Sequence, residues 1–328
     1  MSAAGKLWKT MLAGGAGVAT LAALNASISR RNLEPEESLP ESEKGIFKSK
    51  HGNVYYRHAG KAATNPPILF IHSIDAGASS FMWRRNFTEL SEDFQVYAPD
   101  LLGFGLSAKP ADAPYSADLY VELIAEFIEA IVKRPACVVA NNLGAAFATR
   151  VADEHREKVC QLLLVSPASA DSSRLSPGMT GAAFYGLLHS PVLGASFYNA
   201  MASERSIRDH ARRHLFYDKR LATRRLVAQL YAMSHQPAAQ HAIAAFLSGY
   251  LNTDAREAFA RLTQPVTLVW GKQDRTNPLT RANELLRLNP HAKLEIFDRA
   301  RLWAHEEHPE RFNALTRRLL LKARSAAA

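Results

Sequence analysis

The sequence is poor in several things that would assign it a class at once. Two cysteines in 328 residues, Cys137 and Cys160, cannot build a disulfide framework or a cysteine-rich zinc site. Both lie in or beside apolar runs, which predicts buried, reduced thiols. No internal repeat or low-complexity tract is present, and no cofactor is expected. No basic run interleaved with aromatics occurs, and nucleic acid is not expected as a partner. The formal charge is +9, with basic pairs such as Arg212-Arg213 and Arg224-Arg225 scattered along the chain. That balance suits either an anionic surface or solvated helix faces.

Charge is also missing from Thr10 to Ser29, between Lys6 and Lys9 on one side and Arg30 and Arg31 on the other. Twenty helical residues span about 30 Å, a bilayer core. The expectation is a single amino-terminal membrane anchor in residues 1–31. A cleaved export or organelle-targeting segment and an amphipathic helix are the alternatives. Asn32 to Lys50 is acidic and polar with two prolines, and reads as a linker.

From Gly52 onward strand and helix patterns alternate. Short apolar runs at Pro67–His72, Cys137–Ala140, Leu162–Val165 and Val266–Trp270 read as buried strands. Val54–His58, Val96–Ala98 and Leu294–Phe297 are further strands. Helical spacing covers Ser80–Leu90, Ala117–Val132, Gly144–His155, Leu279–Leu288 and the stretch opened by Pro309. Alternation of this kind predicts an α/β fold with a mostly parallel sheet flanked by helices, binding ligands beyond the carboxyl ends of its strands. Residues 51–169 and 263–325 form the expected core. Residues 170–262 lack strand patterns and read as an inserted helical cap, rich in aromatics such as Phe184, Tyr198 and Tyr231. Packing within the cap, or a pocket for an apolar small molecule or lipid, accounts for those rings.

Five stretches in fixed order resemble the α/β-hydrolase family: Ile71–Asn86, Tyr97–Pro110, Ala140–Ala146, Val269–Asp274 and Glu306–Phe312. The resemblance covers about Gly52 to Lys322. It is closest to the capped branch with epoxide hydrolases, haloalkane dehalogenases and pheophytinase-like esterases. It implies an eight-stranded-type sheet, a nucleophile elbow, an acid and a histidine base.

The elbow maps onto Ala140-Asn141-Asn142-Leu143-Gly144, with Asn142 where the family places Ser, Asp or Cys. A carboxamide is a poor nucleophile, although Asn tolerates the positive φ of such a turn. The acid pattern G-x-x-D falls on Asp274. The base normally precedes a proline by seven residues; counting from Pro309 gives Leu302, with Arg301 replacing the usual glycine. Leucine accepts no proton. Ile74 and Leu143 remain as backbone oxyanion donors, because an amide survives side-chain changes. His72 reads as a loop residue and His305 as pointing away from the pocket. His210 and His214 sit one helical turn apart without an evident third ligand, so no metal is expected. The expectation is a catalytically inactive family member binding an apolar ligand or an unknown protein partner. The alternative is an active hydrolase or lyase with a non-standard site. A serine or cysteine beside a histidine and an acid in the cleft would overturn the inactive reading.

Overall fold

A computed structural model describes residues 17–28, 33–36, 39, 42–61, 64–168 and 177–327. The apolar runs form the centre of an eight-stranded sheet in the order β1-β2-β4-β3-β5-β6-β7-β8. β3 (Ile68–Ile71), β5 (Ala136–Asn141) and β7 (Val266–Gly271) are buried at every position, because helices cover both faces. Between and beside them lie β4 (Val96–Pro99), β6 (Val159–Val165) and β8 (Lys293–Phe297). β3 to β8 pair in parallel, and β2 (Gly52–Ala59) pairs antiparallel with β4.

The core-flanking helices are α2 (Arg84–Ser91), α3 (Ala117–Phe127), α4 (Asn142–Glu154), α11 (Thr280–Leu288), α12 (Ala304–Glu307) and α13 (Pro309–Ala327). Ser116 caps α3 by accepting from Leu119 N–H, satisfying one of the amides a helix start leaves open. One face of the sheet packs Tyr120 and Phe147 as a stacked pair, with centroids 5.2 Å apart. The other packs Phe70 on Trp83 at 5.1 Å. Each fully buried aromatic contributes about 1.5–3 kcal/mol.

Between β6 and β7 the described residues are helical. α5 (Gly178–Leu188), α6 (Leu193–Met201), α7 (Glu204–His210), α8 (Arg224–Ser234), α9 (Gln240–Leu247) and α10 (Arg256–Arg261) follow one another. The start of the expected cap, residues 170–176, lies outside the described residues. The cap sits tight on the core at Gly77 (φ +85°), where a Cβ would meet Leu230 O at 2.2 Å. No side chain fits that approach.

Three expectations need correction. Asn32 to Lys50 is not simply a linker: Glu43–Ser49 forms β1, paired antiparallel with β2. The Arg57 guanidinium holds this entry in place through Ser42 Oγ and Leu39 O. Alternating exposed and inward residues on an edge strand give too few apolar positions to show in sequence. Second, the single amino-terminal membrane anchor is not supported. Among the described residues no helix is long and apolar enough to cross a membrane. Residues 17–28 form a helix, α1, docked on the cap through Asn25, which donates to Val192 O and Ser196 Oγ at 3.0 Å each. Residues 10–16 and 29 of the expected span lie outside the described residues. Third, Cys137 is buried as expected but Cys160 is only half-buried.

Candidate active site

Ile74, Asn142, Asp274 and Leu302 lie beyond the carboxyl ends of β3, β5, β7 and β8 respectively. The elbow keeps its shape: Asn141 ends β5, and Asn142 opens α4 with φ +51°. That left-handed backbone is unfavourable for most side chains and tolerable for Asn. Two residues on, a Cβ at Gly144 would meet His72 O at 2.4 Å, so only glycine lets α4 pass the β3 loop. The Asn142 side chain is fixed from one side. Its Oδ1 accepts from Asn277 Nδ2 at 3.2 Å, and the same amide donates to Ser166 O at 2.8 Å.

The neighbouring Asn141 ties the elbow to the base loop, donating to Leu302 O at 2.9 Å and to Val165 O at 3.2 Å. Leu302 is 1% exposed and packs in the second core cluster with Trp303 and Phe297. Its loop runs against the acid loop. Gln273 N–H donates to Ala300 O at 3.0 Å, and a Cβ at Gly271 would meet Arg301 O at 2.3 Å. Asp274 Oδ1 accepts from Thr276 N–H (2.8 Å) and Asn277 N–H (3.0 Å), while Oδ2 is buried beside the Ser166 side chain without a hydrogen bond of normal geometry. Burial raises the Asp274 carboxyl above its usual range, and the Asn277 amide and the Ser166 side chain pull the other way.

The other histidines divide cleanly. His72 is fully buried between Ser73 O (2.6 Å from Nδ1) and Leu101 N–H, which donates to Nε2 at 2.9 Å. Nδ1 is therefore the protonated atom, and the ring is a loop fastener. His305 lies in α12, against Trp83 at 4.3 Å between centroids, with Nε2 3.3 Å from Met82 O. Burial pushes its imidazole down to about 3. It sits in the core, away from the cleft. His308 contacts Arg299 O at 3.3 Å. Among the described residues no group of three metal-binding side chains converges.

A predominantly apolar opening lies between cap and core. It measures about 270 Å³ and is walled by residues such as Ala78, Ile207, Leu230, Ile243 and Trp303. Asp75 and His210 also line it. His210 Nε2 is 3.9 Å from Asp75 Oδ1, and Ser73 Oγ donates to Asp75 Oδ2 at 2.9 Å. Ser206 lines the opening too, so the wall carries a serine, an acid and a histidine. The Ser73 hydroxyl, fully buried and outside the wall, meets the carboxylate rather than the imidazole, so it forms no Ser–His–acid triad with them. Sequence reading passed over Asp75. The signal was there: a carboxylate four residues past the buried parallel strand β3, directly after the candidate oxyanion residue Ile74. His210 had attracted notice only as half of a metal pair. His214 stacks on it at 5.1 Å and reaches Thr276 Oγ1 at 3.4 Å.

Comparison with known proteins agrees with this architecture. Residues 66–309 match the family model of the α/β hydrolase fold. The 2-hydroxymuconate semialdehyde hydrolase of Pseudomonas sp. (strain CF600) is 28% identical over 272 residues, covering 80% of this chain and 89% of that one. Haloalkane dehalogenase 2 of Mycobacterium tuberculosis is 27% identical over 305 residues, covering 86% and 96%. A meta-cleavage product hydrolase structure from Pseudomonas fluorescens superposes with a TM-score of 0.70 at 23% identity, covering 85% of this chain and 98% of that one. With the sheet order, the strained elbow and the capped cleft all in agreement, the chain belongs to the α/β-hydrolase family.

Proposed function

We propose that this protein is a hydrolase-family enzyme acting on a small carbonyl compound with an apolar body, without a covalent intermediate at the elbow. The observation that carries this reading is the cavity of about 270 Å³ between cap and core, apolar except for Asp75, Ser206 and His210. An apolar wall with a few convergent polar groups is the usual form of a small-molecule site. The strained backbone at Asn142 adds support, since such conformations persist mainly where function holds them. The named relatives are hydrolases and a dehalogenase, which favours chemistry over binding alone.

The test is a panel of 2-hydroxymuconate semialdehyde, p-nitrophenyl esters of increasing chain length, and a 1-bromoalkane. Turnover of at least one compound is expected, sensitive to Ala76→Phe, which fills the cavity from the core side. A fluorophosphonate should not label position 142, because Asn142 offers no hydroxyl. A second reading, a binder without catalysis, draws on Asn142 and Leu302 in the nucleophile and base positions. Thermal stabilisation by these compounds without product would favour it.

A further inference from the structure

We propose that Asp75 and His210 are the catalytic acid–base pair of the cap–core cavity, replacing the base position held by Leu302. This rests on the enzymatic reading above. The pair bridges the two halves of the molecule. Asp75 comes from the loop after β3, and His210 is the last residue of α7 in the cap. Both line the same cavity, and both stay partly open to it, with side chains 27% and 45% exposed. The 3.9 Å gap between His210 Nε2 and Asp75 Oδ1 is the loose spacing that catalytic contacts often have without substrate.

The surroundings fix the pair from both ends. Ser73 Oγ holds Asp75 Oδ2, which leaves Oδ1 turned to the imidazole. His214 stacks on His210 and links it through Thr276 to the loop of Asp274. Ser73 is a positioning residue here. The carboxylate orients the ring and stabilises the imidazolium that forms when a proton arrives, the same division of labour as in a triad.

Hydrolysis of an ester needs one water. The water oxygen bonds to the carbonyl carbon and one of its protons passes to the pair. The carbon–oxygen bond to the leaving group then breaks, and the pair returns that proton to the leaving oxygen. The products are an acid and an alcohol, and no oxidant or cofactor is consumed. The candidate oxyanion residue Ile74 immediately precedes Asp75, so the donor and the carboxylate that orients His210 arise from consecutive residues.

The experiment uses the full chain and the substrate panel above, with kcat and KM measured for wild type, Asp75→Asn, His210→Gln and Ser73→Ala, each checked by thermal melt. The first two should lose about 100-fold or more in kcat, the usual range for a general base, with KM little changed. Ser73→Ala should lose less, again in kcat rather than KM. His308→Gln should retain wild-type rates. Asp75→Ser and His210→Ala replace any first-choice variant that does not fold. Folded Asp75→Asn and His210→Gln proteins with near-wild-type kcat overturn the pair while leaving the enzymatic reading intact. Loss in only one of them, or a change in KM alone, also overturns the pair. A wild-type chain that turns over nothing in the panel overturns both.

Discussion

Placing serine and histidine at positions 142 and 302 tests whether this scaffold can support the family's triad. The perturbation is Asn142→Ser together with Leu302→His. Leu302 is 1% exposed, so removing its apolar side chain forfeits about 1.5–3 kcal/mol. Against this stands Asp274 Oδ2, buried beside the Ser166 side chain without a hydrogen bond of normal geometry, a gap that costs at most about 1–3 kcal/mol. A histidine donating to it recovers much of that. Leu302→His is therefore expected to shift stability by no more than about 1–2 kcal/mol, whereas Leu302→Ala leaves a cavity and costs about 2–5 kcal/mol. Ser at position 142 inherits φ +51°, a strain of about 1 kcal/mol relative to Asn. The assay pairs thermal melts with fluorophosphonate labelling and p-nitrophenyl ester turnover. Labelling at position 142 should be fast only in the double variant, since an unassisted serine is a weak nucleophile. The reasoning is refuted if Leu302→His destabilises as much as Leu302→Ala. It is equally refuted if Asn142→Ser alone labels as fast as the pair.

Gly144→Ala would place a Cβ 2.4 Å from His72 O, backbone against backbone, and should lower stability by about 1–3 kcal/mol or more in melts and abolish any turnover with it. His305 and Glu306 give opposing pH slopes. Burial holds His305 down at about 3 from 6.5, so its contribution is present above pH 6.5 and fades as pH falls toward 3. Burial pushes Glu306 up to about 7 from 4.5, despite Arg84 and Arg85 beside it, so its contribution is present below pH 4.5 and fades as pH rises toward 7. Between about pH 4.5 and 6.5 the two slopes, each about 1.4 kcal/mol per pH unit, cancel. Denaturant melts of Glu306→Gln should then gain stability with rising pH across that window, and melts of His305→Phe should lose it. A flat profile in both variants would contradict the burial argument. Asn141→Leu removes the donor to Leu302 O and Val165 O and leaves both carbonyls bare, at about 1–3 kcal/mol in melts.

The local pattern carried most of the fold. Runs such as Ile68–Ile71 and Ala136–Asn141 are apolar because helices cover both sheet faces, and that is visible in one dimension. The elbow was legible too, since a glycine at 144 and an asparagine at 142 answer local steric demands. So were the residue types at positions 142 and 302, which need only identity and spacing. β1 escaped because an edge strand need not be apolar. The uncharged amino-terminal segment misled because its length suited a bilayer, while Asn25 docks α1 on α6, some 170 residues away. The burial of Asp274 and the approach of Asp75 to His210 depend on how β7, the β3 loop and the cap come to rest against one another. Residue order sets what each loop can offer. Only packing between distant segments decides which offers meet, because contacts between them are governed by the closed sheet and the seated cap rather than by neighbours in sequence.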